Sequence, residues 1–408
     1  MFNKQFNQLY SFLNEFENIA LNEVLQSYPK CRNDYPTEWV DYLLNITTEQ
    51  LWELDSKKIL TKKAPQSFID YMTNIKKLTS IPRLEAKKIH KLPSWAWHKI
   101  SHKKRHEIEQ IINNHHDHNL IIDICGGQGN TSRIYSNYLN IKSLVIDFDQ
   151  DLIDLGKKRV NKYPLPNESK EINFIKANLN KVDDVVSKLK DVTNSNNDSS
   201  FILGLHTCGS LAIDFFKVNE KLDTSFLNFG CCYGKLNPKS EVNLSEISKK
   251  NSLKWSNYAL TLATRSNFNQ DFDTFLFTKN VKEYRYALDL YIKEELGIKK
   301  FLNLGNSPTT LYKKSFKEYV IVNLKNLNLE IISDPELFFN SKYIQNEVKK
   351  MFILTIIRWQ LARPLEVYIL LDRYFYLIEK NINVSINQYF DESLSPRNIG
   401  LSYFKNKI

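Results

Sequence analysis

Mostly apolar runs of strand length occur at 120–125, 143–147, 172–177, 201–205 and 226–229, each stopping at a polar or glycine-rich turn. Runs without strict alternation are the pattern of parallel strands buried on both faces. Amphipathic spacing between them predicts helices over 150–160 and 181–192. The first run breaks into Gly126-Gly127-Gln128-Gly129 and then into Asn130-Thr131-Ser132, which reads as strand, tight turn and helix start. This is the opening of a βαβ nucleotide-binding unit.

The flanking regions have a different pattern. Residues 1–100 carry mostly helical spacing, for example Phe12, Phe16, Ile19 and Ala20 on one face, with structural support and substrate docking both open as roles. A helix with Ile108, Ile111 and Ile112 inward leads to the first strand. After 234 the sheet signal lapses: 235–350 holds helical stretches (255–264, 283–296) and a lysine-rich polar segment. The sheet then resumes with a helix opened by Pro364 and strands at 384–389 and 399–404. The expected domains are a helical N-terminal region (1–100), a nucleotide-binding core (101–234), a mainly helical insertion after strand 5 (235–350), and a C-terminal helix with two strands completing the sheet (351–408).

The turn narrows the ligand. Asp147 ends the second run 18 residues after Gly129, where a carboxylate can accept hydrogen bonds from ribose hydroxyls. The stretch 127–132 ends in Ser132 where a dinucleotide loop has its third glycine, and no phosphate loop with a lysine is present. The text Asp123-Ile-Cys125-Gly-Gly127-Gln-Gly129 instead resembles the S-adenosylmethionine loop of class I methyltransferases, with Cys125 at the usual first glycine. That resemblance implies an α/β, Rossmann-like seven-stranded sheet. It also implies that Asn178, after strand 3, receives the adenine amino group through its amide oxygen.

Composition adds a partner class. The net charge of +10 and pI of about 9.0 fit an anionic partner such as RNA, and equally fit a chain with solvated lysines everywhere. The stretch 91–104 interleaves Trp95 and Trp97 with basic residues, suited to stacking bases and tracking phosphates; tryptophans buried at a domain junction is the stronger reading. A protein substrate stays open, as does a non-catalytic module that keeps the fold and contacts RNA or a protein partner through the insertion and the Trp95/Trp97 segment. No apolar run approaches 18 residues and Glu15 and Glu17 interrupt the N-terminal apolar spacing, so neither a membrane span nor a signal peptide is expected. Five cysteines without C-x-x-C suggest free thiols in a reducing cytoplasm.

Seven of the 11 glycines (126, 127, 129, 204, 209, 230, 234) fall in three turns after apolar runs, which places those turns around one cleft beyond the strand ends. His206, after strand 4, is the candidate catalytic group, a general base, and a candidate at the cofactor; a histidine that only holds the loop is the competing reading. His206 with Cys208, Cys231 and Cys232 invites a zinc reading, but adjacent cysteines seldom both ligate one ion, so packed thiols and no metal are expected. His115, His116 and His118 have poor ligand spacing and read as a solvated loop. Cys232 and Tyr233 after strand 5, and Arg397 and Asn398 before the last strand, are the substrate-side candidates. Glu366 and Arg373 share a helix face roughly 10.5 Å apart along the axis, as cleft-lining groups or as salt-bridge formers.

Taken in order, KKRHEI, DICGGQGNTSR, GLHTCGSL, GCCYGKL, LARPLEVYILLDR and FDESLSPRN resemble the methyltransferase-like protein 25 family, also called ribosomal RNA adenine dimethylase domain-containing proteins, over about 95–408. HTCG and CCY are also similar to a eukaryotic tRNA ribose 2'-O-methyltransferase, over the core only. The resemblance implies a class I S-adenosylmethionine fold with Asp123, Gly127, Gly129 and Asp147 at the cofactor and a methyl-transfer activity. The Asn/Asp-Pro-Pro-Tyr/Phe motif of base-amine methylation is absent after strand 4, as is the spaced Lys-Asp-Lys-Glu set of one group of ribose methyltransferases.

Overall fold

The computed structural model describes residues 2–85, 88–114, 118–162, 170–194, 199–265 and 270–405. Residues 115–117 and 195–198, which include His115 and His116, lie outside them. Two compact units form: 1–10, 79–264 and 365–408 in the first, 11–78 and 265–364 in the second.

The first unit is a seven-stranded sheet in the order β3-β2-β1-β4-β5-β7-β6. The strands are β1 (Leu120–Ile124), β2 (Lys142–Asp147), β3 (Ile172–Lys176), β4 (Ser200–Cys208), β5 (Ser225–Cys231), β6 (Ser385–Gln388) and β7 (Ile399–Tyr403). β1 to β5 run parallel, and β7 pairs antiparallel with both β5 and β6. This is the α/β, Rossmann-like seven-stranded sheet that the resemblance to class I methyltransferases implies, with the parallel strands where the apolar runs predict them.

Helices α1 (His102–Asn113), α2 (Asn130–Leu139), α3 (Gln150–Lys162), α4 (Val182–Asn194), α5 (Leu211–Leu222) and α6 (Ala362–Glu379) accompany the strands. Because side chains alternate along a strand, Ile121, Phe201, Leu203, Leu205, Leu227 and Phe229 join one apolar cluster. Ile108, Ile111 and Ile112 of α1, Ile134 and Tyr135 of α2, and Phe390 complete it. Phe226, from the alternate set on β5, packs edge-to-face on Phe215 of α5.

The second unit is helical. Phe12, Phe16, Trp39, Phe68 and Tyr71 form a ring cluster, with Trp39 and Tyr71 centroids 4.7 Å apart. Its long helices, Phe272–Glu294 and Lys342–Trp359, touch through Phe275 and Phe352.

The borders differ from the sequence expectation, for physical reasons. Residues 235–264 go with the sheet because Asp372 of α6 accepts hydrogen bonds from the amides of Leu244 and Ser245 and the hydroxyls of Ser245 and Ser248. The N-terminal region divides, with Phe6 stacking on Tyr368 in the first unit while Phe12 belongs to the second. Helix Lys342–Trp359 stays with the second unit, where Arg358 pairs with Glu23 at 3.1 Å. Among the described residues, no strand interrupts the span between β5 and β6, and no helix is long and apolar enough to cross a membrane.

Candidate active site

The ends of β1, β2, β3, β4 and β5 carry the expected residues. After β1 the chain turns through Cys125, Gly127 and Gly129, all with positive φ (58°, 56° and 67°). A Cβ on Gly129 would lie 2.9 Å from Cγ2 of Val145, so the loop closes against β2 only with glycine there. Burial pushes the Cys125 thiol up to about 12, which makes it an inert occupant of a glycine position.

Asp147 clamps the same turn: its Oδ2 accepts from the Gly127 amide at 2.8 Å and its Oδ1 from the Asp149 amide at 3.0 Å. A carboxylate has about four acceptor sites, so ribose hydroxyls can still be received. Phe148, next in the chain, is 67% exposed. Asn178 is exposed at the end of β3 and its Oδ1 accepts from the Asn180 amide at 3.1 Å.

Asp123 is buried at the base of the loop. Ser132 Oγ donates to it at 3.2 Å, and a Cβ on Gly126 would sit 2.8 Å from its Cγ. Burial raises its carboxyl to about 6, although Lys104 pulls the other way. Asp123 thus braces the loop that the resemblance places at the cofactor.

His206 is not in a loop after β4 but inside it, at an irregularity where the register with β5 shifts between Leu205 and Thr207. Its φ of 67° swings the imidazole out of the alternating pattern, and Nε2 meets Oε1 of Glu107 at 2.8 Å. Glu107 lies on α1, is 1% exposed, and also accepts from Ser395 Oγ at 2.6 Å. Burial would raise the Glu107 carboxyl, but the hydrogen bond and charge of His206, with Ser395 and Lys104, hold it at about 2. With Glu107 taking Nε2–H, Nδ1 is left as the basic nitrogen.

Three thiols meet at the ends of β4 and β5. Cys208 Sγ is 3.1 Å from Cys231 Sγ and 3.2 Å from Cys232 Sγ. Adjacent cysteines on a regular strand would point to opposite faces; Cys232, with φ 50°, is left-handed and turns back to the same side. The hydrogen bond with Cys231 is the main reason that the Cys208 thiol is held down, at about 5, while Cys231 is pushed up.

The other substrate-side candidates are interior. Tyr233 is fully buried with its hydroxyl donating to the Gly230 carbonyl at 3.3 Å. Arg397 pairs with Glu366 at 2.6 Å and donates to the carbonyls of Ala263 and Thr264. Asn398 is fully buried and donates to the Phe390 carbonyl at 3.4 Å. These three hold the walls together instead of facing a substrate. Arg373 does not pair with Glu366; it lies fully buried with its guanidinium 5.5 Å from the Tyr233 ring.

Glu107, Lys104, Ser395 and Phe148 were not singled out from sequence. Glu107 left a signal, as a carboxylate within the apolar face that includes Ile108, Ile111 and Ile112, and Phe148 left one as a large apolar residue just past a strand end.

Residues 97–239 match the family model of a methyltransferase domain. No curated protein is similar enough to the chain to be matched to it. The chain is thus a methyltransferase of the Rossmann-like class, and S-adenosylmethionine is its methyl donor.

Proposed function

We propose that this S-adenosylmethionine-dependent methyltransferase acts on RNA, with His206 receiving the proton shed by the nucleophile. The observation that carries the reading is the Glu107–His206 pair, its carboxylate buried and its imidazole a quarter exposed, in a chain that also holds a segment pairing an exposed tryptophan with basic residues. Trp95 is 69% exposed while Trp97 is buried with Arg105 over its ring at 5.1 Å, so the two tryptophans divide between stacking surface and core. Lys91, Lys99 and Lys103 lie in the same stretch, which Arg133 of α2 anchors through the Ala96 carbonyl at 2.9 Å. An exposed aromatic among cations suits a single-stranded nucleic acid.

The residues at the strand ends fit the cofactor: a carboxylate with unused acceptor capacity, an uncovered aromatic ring and an exposed amide stand at the ends of β2 and β3, beside a turn only glycine closes. When bound, S-adenosylmethionine supplies a methyl group on a sulfonium, ready for in-line displacement. In this reading Asp147 receives the ribose hydroxyls, Phe148 covers a face of the adenine, Asn178 receives its amino group, and Gly127 and Gly129 let the methionine part approach. Glu107 fixes the imidazole of His206 so that Nδ1 takes the proton. Such a base favours a nucleophile that loses a proton on methylation, a hydroxyl above all.

Tritiated S-adenosylmethionine incubated with extract of cells lacking the protein tests this. Label removed by ribonuclease, and reduced in both His206→Ala and Trp95→Ala, is the expected result. Label removed by protease instead would transfer the reading to a protein substrate.

A further inference from the structure

We propose that Cys208, Cys231 and Cys232 form a binding site for a single soft, thiophilic cation of the Zn2+ type, joining the ends of β4 and β5 beside His206. The three sulfurs all lie within 4.8 Å of one another. Three thiolates around a tetrahedral ion at about 2.3 Å stand roughly 3.8 Å apart, so the contacts of 3.1 and 3.2 Å need to open by only about half an ångström. Packed thiols alone do not explain the backbone. Two non-glycine residues take left-handed conformations within the cluster's own strand ends: His206 at the β4 irregularity and Cys232 past β5. Such conformations are strained for residues other than glycine and persist where the surroundings impose them. That of Cys232 brings an adjacent cysteine to the face of Cys231.

The surroundings also carry positive charge suited to thiolates. Arg373, fully buried, has its Nη1 against Gly230, the neighbour of Cys231, since a Cβ there would come within 2.6 Å of it. Its Nε and Nη2 have no hydrogen-bond partner among the described residues. A buried guanidinium without full pairing is costly, and a thiolate-bound ion, whose three sulfurs bring more negative charge than the metal neutralises, offsets that cost. Arg397 and Lys235 act electrostatically on Cys231 and Cys208 from two further elements. His206 is outside the cluster of ligand atoms that lie within 4.8 Å of one another, which leaves the fourth position of the ion to water or a substrate atom. Through Cys208, two residues along β4, the ion holds the strand end that aims the imidazole.

The full-length protein, purified reduced and metal-free, is titrated with Co2+ and then Zn2+. The expected result is one ion per chain, with a thiolate-to-cobalt charge-transfer band that Zn2+ abolishes. Cys208→Ser is expected to weaken binding about 100-fold or more, while Cys31→Ser, in the other compact unit, leaves it unchanged. Should Cys208→Ser not fold, alkylation of the wild-type chain decides: Zn2+ is expected to protect Cys208, Cys231 and Cys232 together. Substoichiometric metal with unchanged alkylation would overturn the proposal. An intact mass two hydrogens lower, restored by reduction, would also overturn it by showing a disulfide pair instead.

Discussion

Glu107 and His206 are 99 positions apart and share a 2.8 Å hydrogen bond, with the carboxylate buried and the imidazole a quarter exposed. Glu107→Gln keeps the shape but removes the charge and places an amide against Nε2. If His206 is the base, kcat falls roughly 10²–10⁴-fold with little change in S-adenosylmethionine affinity, and the pH profile of kcat changes form. A purely structural pair would lower stability and leave that profile in place.

The same carboxylate shapes acid stability. Its folded value of about 2 lies below the ordinary 4.5, so the stabilisation is present above about 4.5 and is lost as pH falls toward 2. The size is about 3 kcal/mol at neutral pH. Urea melts across that window are expected to show a flatter acid limb in Glu107→Gln than in wild type.

Asp123 behaves in the opposite sense. Its folded value of about 6 exceeds the ordinary 3.8, so its contribution is most favourable below about 3.8 and is lost as pH rises through 6. At pH 7 the charged form costs about 3 kcal/mol. Asp123→Asn, which still accepts from Ser132, is expected to gain stability over wild type from pH 4 to 7, an advantage absent at pH 3. Equal pH slopes in the two proteins would contradict this.

Gly129→Ala tests the turn. A left-handed alanine costs about 1–2 kcal/mol, and its Cβ presses on Val145. Calorimetric titration is expected to show S-adenosylmethionine affinity reduced about tenfold or more, with a lowered melting temperature.

Glu366 and Arg397 test whether the C-terminal wall is structural. Removing one partner of a buried pair costs about 3–5 kcal/mol, so Glu366→Gln is expected to lower the melting temperature sharply. Cofactor affinity of the fraction that remains folded should be unchanged. Selective loss of substrate turnover at unchanged stability would return Arg397 to the substrate side.

The strands, the glycine turn after β1 and the acidic end of β2 were legible because they depend on neighbours in the chain. Apolar runs mark buried strands, and a cluster of glycines marks a turn that side chains would block. The expectations at Tyr233, Asn398 and Arg397 changed because burial depends on what packs above a residue, and no local pattern records the Glu366 carboxylate across from Arg397.

What the chain by itself determined is the run of parallel strands, the glycine turn after the first and the acidic end of the second. What only the tertiary structure decided is the chemistry beside it: which carboxylate faces His206, and that three cysteines from two strands share one place. The reason is register. The irregularity in β4 and the left-handed turn at Cys232 break the two-residue alternation from which side-chain direction is read. Contacts between distant strands and helices then follow from packing, which local periodicity does not encode.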